Sequence, residues 1–287
     1  MKKVKIITRK SMIIRESGRS SDYITPSFGY GCLFNCSYCY MKRHLSEGLS
    51  IAKNSGDILT KINQHVYFYA DVKKPNQTHK EFITYDISCN EDFALHAKYH
   101  NWKYIFEFFK EHPKAMGTFA TKTIPLEFLK FNPNKKIRIR FSLMPQNIAD
   151  ELEPNTAKII DRIKAVDVFI KAGYDVHLNF SPVVVYKNWL KEYSLLFKLC
   201  NKYIKNKKEV LCEVIFLTHN EKKHQYNLDN NLTGENLLWT PDNQEDKISK
   251  YGGKNIRYNY IKKRKFINEW TLIHNKIIPW NKIRYIF

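Results

Sequence analysis

Apolar, β-branched stretches alternate with amphipathic stretches along most of this 287-residue chain. FITYDIS (82–88) has the composition of a buried strand, whereas 155–174 has a helical period that places Ile159, Ile163 and Val166 on one face. Strands are predicted at 82–88, 116–122, 136–144, 175–186 and 209–218, and helices at 101–112, 124–131, 155–174 and 189–204.

Strands that alternate with helices of this length predict parallel β/α units, and six or so units are too few for a closed eight-fold barrel. The expected fold is therefore an α/β partial (β/α)6 barrel. Residues 219–250 are polar and lack periodicity, so they are expected to form an insertion or a crossing loop. We expect one domain, with the barrel at 1–218 and a basic, aromatic extension or hairpin at 219–287 that completes the substrate site.

The formal net charge is +20, which favours polyanionic partners, chiefly nucleic acid. An AT-rich genome would also enrich Lys, Asn and Ile, so part of this charge has an alternative origin. Neither an apolar run long enough to span a membrane nor a signal peptide is evident in the sequence.

Three cysteines lie within the segment GCLFNCSYCY: Cys32, Cys36 and Cys39. Three thiolates hold an iron–sulfur cluster and leave one iron open, which suits a catalytic metal. A zinc site would need a second C-x2-C pair or paired histidines, and a redox pair at Cys36 and Cys39 would leave Cys32 unexplained. The clustered cysteines favour a metal site in a reducing cytoplasm over a set of disulfides.

The spacing C-x3-C-x2-C, with the aromatic Tyr38 before the last cysteine, resembles that of the radical S-adenosylmethionine (SAM) superfamily. This resemblance implies a [4Fe-4S] cluster on Cys32, Cys36 and Cys39, with SAM bound at the open iron. It also implies cleavage of SAM to a 5′-deoxyadenosyl radical inside a partial (β/α)6 barrel.

A closer resemblance is carried by YDISCNED, ATKTIPLEFL, the segment RFS…EP.T…RI.A…AGY, and the final IRYIF. Together these motifs resemble those of spore photoproduct lyase and its DNA-repair relatives. The resemblance implies that a thymine dimer in DNA is reversed without cutting the backbone. It also implies a DNA substrate and an electron donor such as flavodoxin or ferredoxin.

The family's hydrogen-donor cysteine matches Cys89, just after the second predicted strand. By the same resemblance, Tyr38 and Tyr40 close the radical-return path, although packing roles for both tyrosines stay open. Cys200 and Cys212 match no family position and are expected to be structural.

Five further positions are carried over from the family. Lys122 and Ser142 match residues near SAM, and the pair Lys250–Tyr251 matches an Arg–Tyr pair that touches the lesion. Tyr285 matches a late tyrosine at the same place. Lysine in place of arginine loses the planar, bidentate donor group, which puts the geometry at Lys250 in question.

Glu91 departs from the spore enzymes, which tend to have a small hydroxyl residue there. Cys89-Asn90-Glu91 reads as the Gly-Gly-Glu triplet of many radical SAM enzymes, so Glu91 is a candidate to hold the SAM ammonium group. The alternative is a surface carboxylate that caps the next helix together with Asp92.

Extruding a lesion from a duplex requires a basic groove and a stacking surface. Arg257 and Lys263 are the leading candidates for contacts to DNA, and an ordinary exposed hairpin is the alternative. Their neighbours Tyr258, Tyr260, Lys262 and Arg264 are expected to add charge and aromatic faces.

The first functional hypothesis is thus a radical SAM lyase that reverses a lesion of the spore-photoproduct type. A second keeps the cluster and SAM but changes the nucleic-acid substrate, with Glu91 and Lys250 in its favour. A third is a DNA-binding iron–sulfur sensor that cleaves no SAM and tolerates loss of Cys89.

Overall fold

The computed structural model describes residues 4–41, 48–248 and 253–287. These residues form two compact units. The first contains the described residues of Met1–Leu33, Glu47–Ser142 and Lys164–Leu178. The second contains those of Phe34–Ser46, Leu143–Ile163 and Asn179–Phe287. The proposed division at 218/219 stays a prediction.

The strands and helices are numbered in chain order. The strands are β1 (Val4–Ile7), β2 (Arg15–Glu16), β3 (Tyr23–Ile24), β4 (Gly29–Tyr30), β5 (Leu49–Ala52), β6 (Ile83–Asp86), β7 (Ala115–Thr121), β8 (Ile137–Ser142), β9 (Asp175–Val183), β10 (Cys212–Phe216), β11 (Thr218–His219), β12 (Gln244–Ile248), β13 (Lys254–Tyr258) and β14 (Ile283–Ile286). The helices are α1 (Ser55–Tyr69), α2 (Trp102–Glu111), α3 (Gln146–Leu152), α4 (Ile159–Lys171), α5 (Trp189–Tyr203), α6 (Glu221–Asp229), α7 (Glu235–Leu238) and α8 (Tyr260–Ile277).

The first unit is built on a sheet with the order β2-β3-β6-β7-β8-β9, of which it holds the first part of β9. β3, β6, β7 and β8 pair in parallel, with Tyr85 opposite Gly117 and Thr121 opposite Phe141. α2 covers this sheet with Phe106 and Phe109, which are fully buried. A smaller sheet has the order β1-β5-β4.

β8 is buried along its whole length and carries two arginines, Arg138 and Arg140. A strand buried on both faces must give such side chains partners, because an unpaired buried charge is costly. Arg138 Nε lies 2.6 Å from Asp175, and Arg140 Nη2 lies 2.7 Å from Asp86. The first pair joins the adjacent strands β8 and β9, and the second joins β8 to β6 across β7.

The second unit holds the end of β9 and has the strand order β9-β10-β14. β10 and β14 are parallel, with Glu213 opposite Tyr285. α5 and α8 pack through Phe197 and Trp270, whose ring centroids are 5.0 Å apart. A separate antiparallel sheet has the order β11-β13-β12.

The strands predicted between 82 and 218 and the helices predicted at 101–112, 155–174 and 189–204 are confirmed, with ends that move by a few residues. The helix predicted at 124–131 is a short 3-10 helix at Leu126–Lys130, and α3 was not predicted. Of the two alternatives for 219–250, an insertion or a crossing loop, the loop was wrong, because α6, α7 and β12 lie there. The predicted hairpin matches β12 and β13, but 260–277 form an 18-residue helix that the sequence reading missed. Its buried positions among the described residues are Trp270 and His274. Because one of these two is a polar histidine, the apolar pattern of this helix is hard to recognise in the sequence.

Among the described residues, no helix is both long and apolar enough to cross a membrane.

Candidate functional site

The carboxyl ends of β6, β7 and β8 meet at one edge of the first unit's sheet because these strands are parallel. Cys89 and Glu91 follow β6, Lys122 follows β7 directly, and Ser142 is the last residue of β8. The structure therefore brings four predicted site residues to one edge. Ser142 is buried and Cys89 is half-buried, with Arg15 Nη2 at 3.9 Å from its sulfur.

The start of the cysteine segment is fixed to the turn that follows β6. Gly31 donates its backbone N–H to the Asn90 carbonyl oxygen at 3.0 Å. Gly31 has φ +99°, and a Cβ there would lie 2.2 Å from the Gly48 carbonyl oxygen, so only glycine fits. Cys32, one residue later, is thereby carried towards the segment that contains Cys89 and Glu91.

Glu91 is not the surface carboxylate of the alternative interpretation, because its side chain is 1% exposed. Its Oε2 lies 2.8 Å from His96 Nδ1 and 2.9 Å from His100 Nε2. Burial alone would raise the pKa of Glu91, but the charge and hydrogen bond of His100, with the hydrogen bond of His96, leave it below its usual value. A Cβ on Gly29 would lie 2.3 Å from the same carboxyl group.

A chain of hydrogen bonds joins Glu91 to the cysteine segment. Leu33 donates its backbone N–H to His96 Nε2 at 3.2 Å, so that nitrogen accepts and Nδ1 carries the proton donated to Glu91. The other carboxylate oxygen, Glu91 Oε1, is buried and has no hydrogen-bond partner among the described residues. This orphan acceptor fits a bound cationic donor such as an ammonium group.

Asp92, the suggested helix cap, also fixes the end of β7. Its carboxylate accepts hydrogen bonds from the Thr121 hydroxyl at 2.8 Å and from the Lys122 backbone N–H at 2.9 Å. It also accepts from the Leu95 N–H at 3.1 Å. The backbone at Lys122 is therefore held by a buried carboxylate that follows β6.

Tyr38, Cys36 and Cys39 belong to the second unit, where Cys36 is buried and Cys39 is half-buried. The Tyr38 hydroxyl donates a short hydrogen bond to Glu153, which forms a buried ion pair with Arg162 at 2.9 Å. Burial, and then the charge of Glu153, raise the pKa of Tyr38 well above its usual value. This contact explains the family-specific EP.T…RI.A pattern, whose roles the sequence left unassigned.

Three side chains of the 219–238 region hold the backbone of the same segment in the second unit. Lys223 Nζ donates to the Tyr38 carbonyl oxygen at 3.2 Å, and Asn227 Nδ2 donates to the Ser37 carbonyl oxygen at 2.9 Å. The Ser37 hydroxyl donates to the Thr233 carbonyl oxygen at 2.7 Å. Sequence reasoning missed these residues because they lie in a polar stretch without a motif.

The chemistry of the thiols suits a metal cluster at the three clustered cysteines. None of the six cysteines, all of which lie among the described residues, forms a disulfide. Cys200 and Cys212 are buried, and burial raises the pKa of both thiols, which disfavours the thiolate form that binds metal. The donor set of the C-x3-C-x2-C segment thus fits a three-cysteine cluster.

The predicted DNA-contacting residues lie in different environments. Arg257 forms an ion pair with Glu245 at 2.9 Å across β12 and β13, and Lys263 Nζ lies 4.6 Å from the centre of the Phe287 ring. Tyr285 is half-buried in β14, and Tyr40 is 38% exposed. Lys250 and Tyr251 lie outside the described residues.

Tyr258 was expected to offer a stacking face, and that expectation was wrong. Its side chain is buried, and its oxygen accepts a hydrogen bond from the Val185 N–H at 2.8 Å. Tyr260, two residues later, is 57% exposed at the start of α8. The strand-to-helix junction therefore turns one tyrosine inward and the other outward.

The fold is that of a spore photoproduct lyase. A mutant of that enzyme solved with dinucleoside spore photoproduct superposes with a TM-score of 0.87 at 19% identity, covering 99% of this chain and 82% of that one. A second mutant, with bound AdoMet and the same dinucleoside, gives 0.87 at 18% identity over the same shares. The predicted partial barrel is confirmed by this match.

Sequence comparison points to the same family. The spore photoproduct lyase of Bacillus subtilis is 28% identical over 194 residues, or 66% of this chain and 54% of that protein. The enzyme of Clostridium acetobutylicum is 26% identical over 210 residues, or 72% of this chain and 60% of that protein. The chain thus spans just over half the length of these curated relatives. Because the family model of spore photoproduct lyase matches residues 1–287, the chain belongs to the spore photoproduct lyase family.

Proposed function

We propose that this chain is a radical SAM lyase that reverses a thymine dimer of the spore-photoproduct type in DNA. The observation that carries the proposal is the family match over the whole chain, joined to a fold shared with enzymes solved with the dinucleoside lesion. The +20 charge supports a polyanionic substrate.

Cys32, Cys36 and Cys39 are proposed to ligate a [4Fe-4S] cluster. When bound, the reduced cluster and SAM supply the radical that removes a hydrogen atom from the lesion. Glu91 is proposed to accept a hydrogen bond from the SAM ammonium group at its orphan oxygen Oε1. Ser142 and Lys122, at the ends of β8 and β7, are proposed to line the SAM pocket.

Cys89 is proposed to return a hydrogen atom to the thymine radical once the bond between the two thymines has broken. The S–H bond then breaks homolytically, a C–H bond forms on the thymine, and a thiyl radical stays on Cys89. Its position after β6, at the same edge as Lys122 and Ser142, supports this role. Tyr38 and Tyr40 are proposed to take part in radical return, although the hydrogen bond of Tyr38 to Glu153 also supports an anchoring role.

The decisive experiment uses anaerobically reconstituted and reduced protein, SAM and the dinucleoside spore photoproduct. Thymine and 5′-deoxyadenosine are quantified for wild type, Cys89→Ala and Cys200→Ala. We expect restored thymine in wild type and Cys200→Ala, and its loss or diversion in Cys89→Ala. Cys200 is the matched control because it is a fully buried thiol on α5.

The other results separate the alternatives. Deoxyadenosine without restored thymine would favour a radical SAM enzyme with another nucleic-acid substrate, as the lysine at position 250 suggests. No SAM cleavage in cluster-loaded protein would favour a DNA-binding sensor. The repair proposal also needs an electron donor, for which flavodoxin and ferredoxin are candidates, and a reducing cytoplasmic location.

A further inference from the structure

We propose that His219, His224 and Glu235 form a second metal site, which takes a divalent ion of the zinc type. His219 Nε2 and His224 Nδ1 approach the same carboxylate oxygen, Glu235 Oε1, at 2.8 and 2.6 Å. One ligand atom from each residue lies within 4.8 Å of the others. The site is separate from the cysteine motif and goes beyond the proposed repair function.

The donor set is the one that zinc favours. Two imidazoles and one carboxylate form a His₂Glu set, with bonds of about 2.0–2.2 Å that place tetrahedral ligands about 3.3 Å apart. The observed nitrogen–oxygen separations need to widen by only about 0.6 Å, which small side-chain rotations achieve. His219 is fully buried and Glu235 is 10% exposed, so two of the three ligands are withdrawn from water.

Neighbouring residues orient the ligands. Asn227 Nδ2 donates to Glu235 Oε2 at 2.5 Å, which leaves Oε1 towards the histidines. Trp239 stacks on His224 with ring centroids 4.1 Å apart and an interplanar angle of 12°. Such contacts fix ligand orientation at metal sites. Because Asn227 also holds Ser37, an ion here would stiffen the support of the cysteine segment.

The test is a zinc titration of the full-length, cluster-loaded protein, so that iron occupies the clustered cysteines. Zinc and iron per chain are measured after equilibration against a chromophoric chelator. We expect one zinc per chain in wild type, and at least tenfold weaker binding in Glu235→Gln and His224→Gln. Glu221→Gln, an exposed glutamate on α6, is the matched control and should bind like wild type.

No zinc retained by wild type against the chelator would overturn the proposal, as would a zinc affinity in the two ligand variants equal to that of wild type. His224 is 24% exposed, so His224→Gln decides the question should Glu235→Gln fail to fold. Circular dichroism establishes folding, and the visible absorption of bound Co²⁺ reports tetrahedral ligation. None of these readouts depends on repair activity, so the zinc result stands whether or not the lesion is repaired.

Discussion

Asn227 donates a hydrogen bond to the carbonyl oxygen of Ser37 at 2.9 Å, across 190 residues of sequence. Ser37 stands between Cys36 and Tyr38, so this contact supports the cysteine segment from the C-terminal region. Lys223 adds a similar bond to Tyr38. The backbone of the segment is therefore fixed by side chains that carry no motif of their own.

Replacing Asn227 by alanine should destabilise the protein and loosen the cysteine segment. The Ser37 carbonyl and Glu235 both lose a buried donor, which costs about 1–3 kcal/mol of unfolding free energy. We expect less iron per chain after reconstitution. Asn230→Ala is the control, since Asn230 is exposed just after the same helix. Equal iron contents and stabilities in the two variants would argue against the support.

The buried Tyr38–Glu153–Arg162 group predicts that two conservative substitutions lower the free energy of unfolding by different amounts. Glu153→Gln leaves Arg162 buried without a counter-charge, so we expect a loss of about 3–5 kcal/mol. Tyr38→Phe removes one hydrogen bond and keeps the ion pair, so about 1–2 kcal/mol is expected. Urea unfolding at pH 7 measures both. A larger loss for Tyr38→Phe would contradict this assignment.

The stability supplied by Glu91 should depend on pH in a defined direction. Its folded pKa lies below the ordinary value of 4.5, so its contribution is fully present above pH 4.5 and is lost as pH falls through the folded pKa. We expect Glu91→Gln to be about 1–3 kcal/mol less stable than wild type at pH 7. The difference should shrink below pH 4.5, as urea unfolding at several pH values would show. A difference in stability between wild type and Glu91→Gln that does not change with pH would mean that Glu91 is not ionised in the folded protein.

The affinity for SAM tests whether Glu91 binds the SAM ammonium group or only holds His96 and His100. If Glu91 Oε1 holds the ammonium group, Glu91→Gln should weaken SAM binding at least tenfold in equilibrium dialysis of cluster-loaded protein. Glu81→Gln, an exposed carboxylate ahead of β6, should leave affinity unchanged. Unchanged affinity in Glu91→Gln, together with reduced stability, would leave Glu91 only the role of holding His96 and His100.

The ion pair between Arg257 and Glu245 predicts opposite effects on DNA affinity for substitutions of its two members. If Arg257 contacts a phosphate, Arg257→Ala should weaken binding to any sequence and reduce the salt slope by about one. Glu245→Gln should strengthen binding, because it releases the guanidinium from its carboxylate. Fluorescence anisotropy over a range of salt concentrations measures both. Weaker binding by Glu245→Gln would place Arg257 outside the interface.

Part of the site could be predicted because it depends on local residue spacing and on the order of the strands. Cys89, Lys122 and Ser142 each lie at or just after the end of a predicted strand, and parallel strands bring these ends to one edge. The support of the cysteine segment was not predictable. Lys223, Asn227 and Thr233 lie in a polar stretch where nothing local distinguishes a solvated side chain from a buried donor.

By itself, the sequence determined the alternating β/α order between 82 and 218, the three-cysteine segment and the family. These features depend on hydrophobic periodicity and on the spacing of residues that lie close together in the sequence. Only the tertiary structure decided that Glu91 is buried between two histidines, that Tyr258 points inward and that 260–277 form a helix. The reason is physical: burial and charge pairing depend on partners far away in sequence, and those partners meet only after folding.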